Sequence, residues 1–489
     1  MVNLRKATAS GRRELPYLGL LDVSRALRSG RLTATEVTQV LLDRIAELDP
    51  VLRSYTTVTA SRAMARAAQA DAELGKGLWR GPLHGVPIAV KDLCRSSYAP
   101  TAAGMAIHRD AAPSTDCTVV ARLEQAGAVM LGKLTMTEGA FSGHHPAMPT
   151  PINPFSPGTW TGASSSGSGV ATAAGLCFAS LGSDTGGSIR FPSAACGLTG
   201  LKPTWGRVSR HGVFALADSL DHIGPMTRSA EDAAAVLGVI AGADPHDPTA
   251  LQAPVPDYLA GLGGGIRGMR IGLDESFAFD GLDGDVAKSL RLAIEALAHL
   301  GARLVPIKFP PIEAVLQAFT PLCSVECAIA HEATYPGRAS EYGPQLAAWI
   351  ETGRKVSAAE LGKAMQQRLV FCGQVAEVFG SLDAIVAPVM PTTIPSLERW
   401  SVIADSDGTD ADFSGVLRFT SPFDMTGSPT LTLPGDPDRA GVPIGFQLIG
   451  PHLSETALLR AGHALQQITD WHTRRPDLAA HTRTSALAA

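Results

Sequence analysis

Apolar positions along this chain recur with two different periods, and the alternation of the two points to a fold class. Val37, Val40, Leu41, Ile45 and Leu48 fall at helical spacing. Thr33 and Glu36 stand ahead of them with capping-box spacing, Leu32 is placed for a hydrophobic staple, and Asp49-Pro50 is the expected stop. A second helix, rich in Ala and Arg, is expected over about 60–74. Val86 to Val90 is apolar throughout, the pattern of a short strand buried on both faces. Over 115–133 the stripe Val119, Val120, Leu123 and Ala126 predicts a helix ended by Gly127, and Ala128 to Leu131 a strand.

The second half continues the alternation. Ser229-Ala230-Glu231-Asp232 caps a helix through Ile240, and the Pro-, Asp- and Gly-rich residues 243–268 read as a surface crossing. Met269 to Leu273, Val286 to Leu300 and Arg303 to Ile307 form a strand–helix–strand unit. Residues 312–380 are mostly helical in pattern, and strands follow at 384–389, 430–433 and 444–449. A last helix is expected over about 455–468, then a loosely held tail over the last dozen residues. There is no internal repeat. Strands alternating with helices throughout indicate an α/β protein with a covered sheet.

Composition narrows the classes of function. The chain has 489 residues, room for one large domain or two to three ordinary ones. Hydrophobic residues make up 45% and charged ones 18%, an ordinary globular balance. Formal net charge is −5, and basic groupings are only isolated pairs such as Arg5-Lys6, Arg12-Arg13 and Arg474-Arg475, which argues against nucleic acid as the main partner. The seven cysteines are odd in number and lack a C-x-x-C pair, so neither a disulfide framework nor a structural zinc is expected, and a reducing compartment fits. Cys323 and Cys327, four apart, read as small buried hydrophobes on one helix face. Residues 1–16 carry no apolar h-region and no run of 18 apolar residues occurs, so neither a signal peptide nor a membrane span is expected.

Candidate chemistry concentrates between Gly162 and Arg190, where Ser164 and Ser188 sit in two glycine-rich turns 24 residues apart. A linker does not fit, because a small-residue apolar segment follows directly and has to pack. The phosphate-binding P-loop needs a Gly-Lys-Ser/Thr ending that is missing here. The nucleophile-elbow pattern is incomplete, since Arg190 stands in place of its last glycine. What remains is a serine directly after Gly186-Gly187, whose backbone N–H groups could converge on a tetrahedral oxyanion. Spacing alone leaves its base unknown. Lys91, at the end of the strand Val86–Val90, reads most simply as the first solvated residue after that strand. Held buried, it would lose its proton more readily and serve as a base. The adjacent His144 and His145 lack a third ligand nearby, so their loop reads either as lining for a pocket or as plain solvated loop.

The ordered set of motifs resembles the amidase signature family. It comprises Gly85 to Asp92, Gly162 to Arg190, Phe191-Pro192-Ser193, Gly200-Leu201-Lys202-Pro203-Thr204 and, more weakly, Pro443 to Gly450. The resemblance implies one large α/β/α domain over 1–489 with a central mixed sheet covered by helices on both faces. Within it, a helical N-terminal part spans 15–75, a catalytic core about 80–240, and a C-terminal part about 265–470. It implies Ser188 as nucleophile, Ser164 as a bridging serine on a cis peptide, and Lys91 as base. It also implies an oxyanion hole from the N–H groups of Thr185, Gly186, Gly187 and Ser188, with Asp184 and Arg190 bracing the turn and Ser165 behind it. Two residues depart from the pattern: Ala163 and Ser166 stand where glycines are usual.

Two substrate readings follow. One is a free-standing hydrolase of non-peptide C–N bonds in amides, aryl amides or carbamates, with ester side activity. The other is the glutaminase subunit of a tRNA-dependent amidotransferase. The second needs a basic and an acidic residue for glutamine, and the corresponding stretches hold Ala348-Trp349 and Leu417-Arg418. The first reading is therefore preferred, with Phe141, His144, His145, Trp349 and Phe423 as pocket residues. No metal or cofactor is expected, the location is cytoplasmic, and the partner is a small-molecule amide or carbamate rather than nucleic acid or membrane. The sequence is silent on oligomeric state, and a homodimer is the expectation.

Overall fold

The computed structural model describes residues 14–404 and 411–478. The basic pairs near the N-terminus and, except for Leu478, the expected C-terminal tail lie outside the described residues. In chain order the helices α1 (Leu20–Arg28) and α2 (Ala34–Leu52), the strand β1 (Tyr55–Val58) and the helix α3 (Ala60–Gly75) lead into β2 (Pro87–Lys91), α4 (Thr118–Gln125) and β3 (Val129–Leu134). The central stretch becomes α5 (Ser166–Ala173), β4 (Ala179–Asp184) and α6 (Arg190–Ala195), followed by β5 (Thr199–Lys202), β6 (His222–Thr227) and α7 (Ala230–Ile240). Then come β7 (Arg270–Leu273), α8 (Glu275–Phe279), α9 (Gly284–His299), β8 (Arg303–Pro306), α10 (Glu313–Ala330), α11 (Pro344–Lys355) and α12 (Ala358–Phe379). The chain continues through β9 (Ala384–Pro388), α13 (Leu397–Ala404), α14 (Ala411–Leu417), α15 (Ser421–Met425), β10 (Thr430–Pro434), β11 (Gly445–Ile449) and α16 (Glu455–Gln466).

The strands join in one mixed sheet of order β1-β3-β2-β4-β6-β5-β10-β11-β9-β7-β8. Every residue of β2, β3, β4, β6, β10, β11 and β9 is buried, so helices cover both faces, as the unbroken apolar runs require. Only the edge strand β8 stays largely exposed. The site depends on one local rule. β2 runs parallel to both β3 and β4, with Val90 level with Leu181. The ends of β2 and β4 therefore open at the same edge of the sheet, and side chains at Lys91 and Ser183 meet there.

Several expectations need correcting. Pro50 does not stop α2, which runs on to Leu52. The stop is Arg53 in the left-handed region, φ 57°, while the Asp49 carboxylate accepts hydrogen bonds from Ser54 and Tyr55. A proline in the last turn removes one late hydrogen bond and leaves the rest of the helix in place. The capping box at Thr33 and Glu36 forms as expected. β1, β5 and β6 have no counterpart among the elements the sequence pattern predicts. β6 contains Gly224-Pro225, residues that disfavour a central strand, but its ladder with β5 covers only Thr227 and Met226. Pro225 thus lies where that ladder has already ended. α10 is 18 residues with mean hydropathy 1.2, long and apolar enough to cross a membrane by length and composition alone. Here its apolar side, with Cys323 and Cys327 buried on it, packs against α11 and α12.

Candidate active site

Lys91 is not the first solvated residue after its strand; it is 0% exposed. Its ammonium donates to Ser164 Oγ at 2.6 Å and to Ser183 Oγ at 2.8 Å. Burial pulls its pKa down to about 7, against the opposing pull of Asp184, Asp221 and Cys94. Asp92, its neighbour in sequence, points to the other face of the strand and pairs with buried Lys133 at 3.0 Å, so it does not hold the Lys91 proton.

The two serine turns are laced together. The Ala163–Ser164 peptide is cis. The Ser164 carbonyl accepts from Thr137 N–H, and Ser165 N–H reaches the Ser188 carbonyl at 3.4 Å. Ser165 Oγ both donates to the Ser183 carbonyl and accepts from Ser183 N–H, each at 3.2 Å, clamping the serine turn to the end of β4. Ser166 opens α5 and bonds His144 Nε2 at 3.0 Å. Ser188 is partly exposed, and among the described residues its hydroxyl has no hydrogen-bond partner.

The turn carrying Ser188 is braced from below. Asp184 accepts from the N–H groups of Gly187 at 2.6 Å and Ile189 at 2.9 Å, and from the Arg190 guanidinium at 2.8 and 3.0 Å. Gly187 has φ 138°, and a Cβ there would stand 2.3 Å from the Phe191 ring, so only glycine allows this turn. Burial alone would raise the Asp184 carboxyl, but Arg190 beside it holds it well below the ordinary carboxylate range. Arg190, itself fully buried, also reaches Asp424 and the Thr420 carbonyl. Thr420 Oγ1 in turn donates to the Gly186 carbonyl at 2.6 Å. Burial pushes Asp424 well above its ordinary value while Asp184 is held well below it, so the two carboxyls share Arg190 unequally. His222 and Lys202, 3.2 Å apart, complete the buried cluster. Thr185 Oγ1 donates to Asp221.

The expected oxyanion donors divide accordingly. Gly187 N–H is taken by Asp184 and is not free. The N–H groups of Thr185, Gly186 and Ser188 have no partner among the described residues, and these three residues face one cavity.

That cavity is apolar. Beside Ser188 its lining comes from Phe141, Trp160, Phe191, Phe319 and Trp400, with Leu216, Cys323, Val416 and Leu417. No charged side chain among the described residues lines it. Trp400 stacks on Trp160 with centroids 3.7 Å apart. Of the five residues expected in the pocket, only Phe141 lines it. Trp349 is buried behind and stacks on Phe141 at 4.6 Å, and Phe423 is fully buried against Phe309. His144 is turned to Ser166, and His145 is engaged with Ala147 N–H of its own loop. Large aromatics pack as readily behind a wall as in it, and periodicity does not separate the two. Trp160 and Trp400, which line the cavity, escape sequence reasoning because α13 and the segment around Trp160 carry no motif.

A model of the family described as Amidase matches residues 36–459. A Mycobacterium tuberculosis protein named "Putative amidase AmiD" is 49% identical over 460 residues, covering 94% of this chain and 96% of that one. A glutamyl-tRNA(Gln) amidotransferase subunit of a Roseiflexus species is 39% identical over 489 residues, covering 95% of this chain and 99% of its own. Among solved structures, the peptide amidase of Stenotrophomonas maltophilia superposes with a TM-score of 0.79 at 31% identity, covering 94% of this chain and 99% of that one. Matched over nearly its whole length in sequence and in fold, the chain belongs to the amidase family and is an amidase.

Proposed function

We propose that this amidase hydrolyses uncharged amides with apolar or aromatic acyl groups through an acyl-enzyme on Ser188. The observation that carries this reading is Lys91: fully buried and 2.6 Å from Ser164, where burial pulls its pKa down to about 7. Ser188 Oγ attacks the amide carbon and passes its proton to Ser164, whose own proton goes to the neutral Lys91 amine. A serine rotation brings the Ser188 hydroxyl onto Ser164. The oxyanion is held by the open N–H groups of Thr185, Gly186 and Ser188. The proton returns by the same relay to the leaving nitrogen, the C–N bond breaks and the amine departs. A water then gives its proton to the relay and attacks the acyl carbon; the bond to Ser188 Oγ breaks, the relay returns that proton to Oγ, and the acid departs. One amide and one water give one acid and one amine. Carbamates fit the same chemistry. A cytoplasmic, reducing setting fits the seven cysteines, none of which is in a disulfide.

Against glutamine stands the cavity itself. Among the described residues its lining offers no charge to an α-ammonium or α-carboxylate. Asp424 is committed to Arg190, and Arg368 to the Met425 carbonyl and Ser219. A panel of aryl amides, aliphatic amides, carbamates and glutamine tests the reading: aryl and longer aliphatic amides should be turned over and glutamine should not. Preferential release of ammonia from glutamine would contradict it.

A further inference from the structure

The peptide joining Asp184 to Thr185 is held from two sides, and its holders are consecutive residues. β4 and β6 pair antiparallel with Asp184 opposite His222, so Thr185 stands opposite Asp221 just past the ladder. Ser183 turns both its N–H and its carbonyl to Ser165 Oγ, away from β6. Backbone polar groups alternate sides along a strand, so those of Asp184 face β6 and the Thr185 N–H points back to the side of Ser183. His222 secures this orientation. Its Nδ1 lies 3.2 Å from the Asp184 carbonyl and its Nε2 3.2 Å from Lys202 Nζ. A carbonyl only accepts, so the proton sits on Nδ1 and Nε2 accepts from the lysine. The peptide is trans, and in a planar trans peptide the N–H points opposite to the C=O. Tying the Asp184 carbonyl to His222 therefore turns the Thr185 N–H toward the cavity beside Ser188.

Asp221 holds the side chain of the same residue. Thr185 Oγ1 donates to Asp221 Oδ1 at 2.5 Å. The carboxylate also accepts from Leu216 N–H at 2.9 Å and from Ala217 N–H at 3.2 Å. Both Thr185 and Asp221 are buried, so water does not compete for this bond. Leu216 lines the cavity, and one carboxylate thus ties Thr185 to the cavity wall. The peptide after Gly186 is held as well, its carbonyl by Thr420 Oγ1 and its N–H by Asp184. Asp221 and His222 take no part in the proton relay; what they fix is the direction of an N–H.

We propose, resting on the Ser188 acyl-enzyme reading, that Asp221 and His222 are positioning residues that aim the Thr185 N–H at the oxyanion. A trifluoromethyl ketone bearing a phenyl group tests it. Ser188 Oγ bonds to the ketone carbon, the carbonyl electron pair moves onto oxygen, and the serine proton passes to the relay. The wild type should show a shifted fluorine NMR resonance that Ser188→Ala lacks; if the wild type lacks it too, the acyl-enzyme reading falls and this proposal with it. With the adduct present, Thr185→Val, which keeps the shape and deletes the hydroxyl, should weaken the ketone about tenfold. kcat should fall by the same factor with KM unchanged, a part of the roughly 10²–10³ that loss of an oxyanion donor costs. An amide and its matched ester should lose equally, since both pass through an oxyanion. Thr185→Ser should keep wild-type values. Asp221→Asn should match Thr185→Val and add little to it in the double variant. His222→Asn, which offers an amide N–H near the place of Nδ1, should keep more activity than His222→Leu. An adduct on wild type with unchanged ketone affinity and kcat in Thr185→Val overturns this proposal alone. So does Asp221→Asn that moves the pH midpoint of kcat/KM yet binds the ketone as tightly as the wild type, since Asp221 would then act on the Lys91 charge.

Discussion

Lys91 Nζ stands 2.6 Å from Ser164 Oγ, and the lysine side chain is fully buried. Its amine must be neutral to accept a proton, and its pKa is pulled to about 7 by burial. kcat/KM should therefore rise about tenfold per pH unit below 7 and level off above it. Glu138 and Asp221 are also lifted by burial, to about 7 and about 6. Temperature separates them, because an ammonium midpoint falls on warming while a carboxyl midpoint scarcely moves. A pH–rate midpoint near 7 that falls between 15 and 35 °C is the expected result.

Lys91→Ala should cost amide hydrolysis on the order of 10³-fold, the range of a general acid–base group. A matched ester, whose leaving group needs less protonation, should lose less. Equal losses on both would show that Lys91 supports the fold of the site rather than moving protons.

Asp184 and Asp424 share Arg190 unequally, and substitution should expose this. Asp184→Asn leaves a buried guanidinium without its charged partner and should lower stability by about 3 kcal/mol or more in urea melts. Asp424→Asn replaces a group already pushed toward its neutral form and should cost markedly less. The sign with pH follows. Asp184 is held below its unfolded pKa, so its contribution is present above about 4 and is lost as pH falls through the folded value. Asp184→Asn should thus flatten the acid limb of the stability curve.

Trp400 forms the cavity wall with Trp160, their rings stacked at 3.7 Å. Trp400→Ala should raise KM for aryl amides about tenfold, the worth of an aromatic contact plus its burial, with kcat little changed. Small aliphatic amides, which do not reach that wall, should be affected less.

How much of the molecule is legible in sequence varies by residue. Long amphipathic helices such as α2 and α7 show their caps and periods directly. The ion pair of Asp184 with Arg190 is visible because both flank one turn. Its third member is not: the stretch before Thr420, where an acid is expected, holds Leu417 and Arg418, while Asp424, four residues past Thr420, reaches Arg190 across 234 positions of sequence. No local pattern encodes such a contact. β6 hides behind Gly224-Pro225, which only the end of a neighbouring ladder permits. Gly187 is expected in the oxyanion hole, and which of four successive N–H groups the Asp184 carboxylate consumes is decided by backbone angles rather than residue types. The cavity walls are least legible, since Phe141 and Trp349 form one stack with only the first facing the cavity.

The central claim is that Ser188 carries the acyl group, and covalent labelling tests it most directly. The purified chain is treated with a fluorophosphonate, digested, and the adduct located by mass spectrometry. A single stoichiometric adduct on Ser188 is expected, slowed strongly in Lys91→Ala, with no amidase activity in Ser188→Ala. An adduct on Ser164 or Ser183 instead, or activity surviving Ser188→Ala, would contradict it.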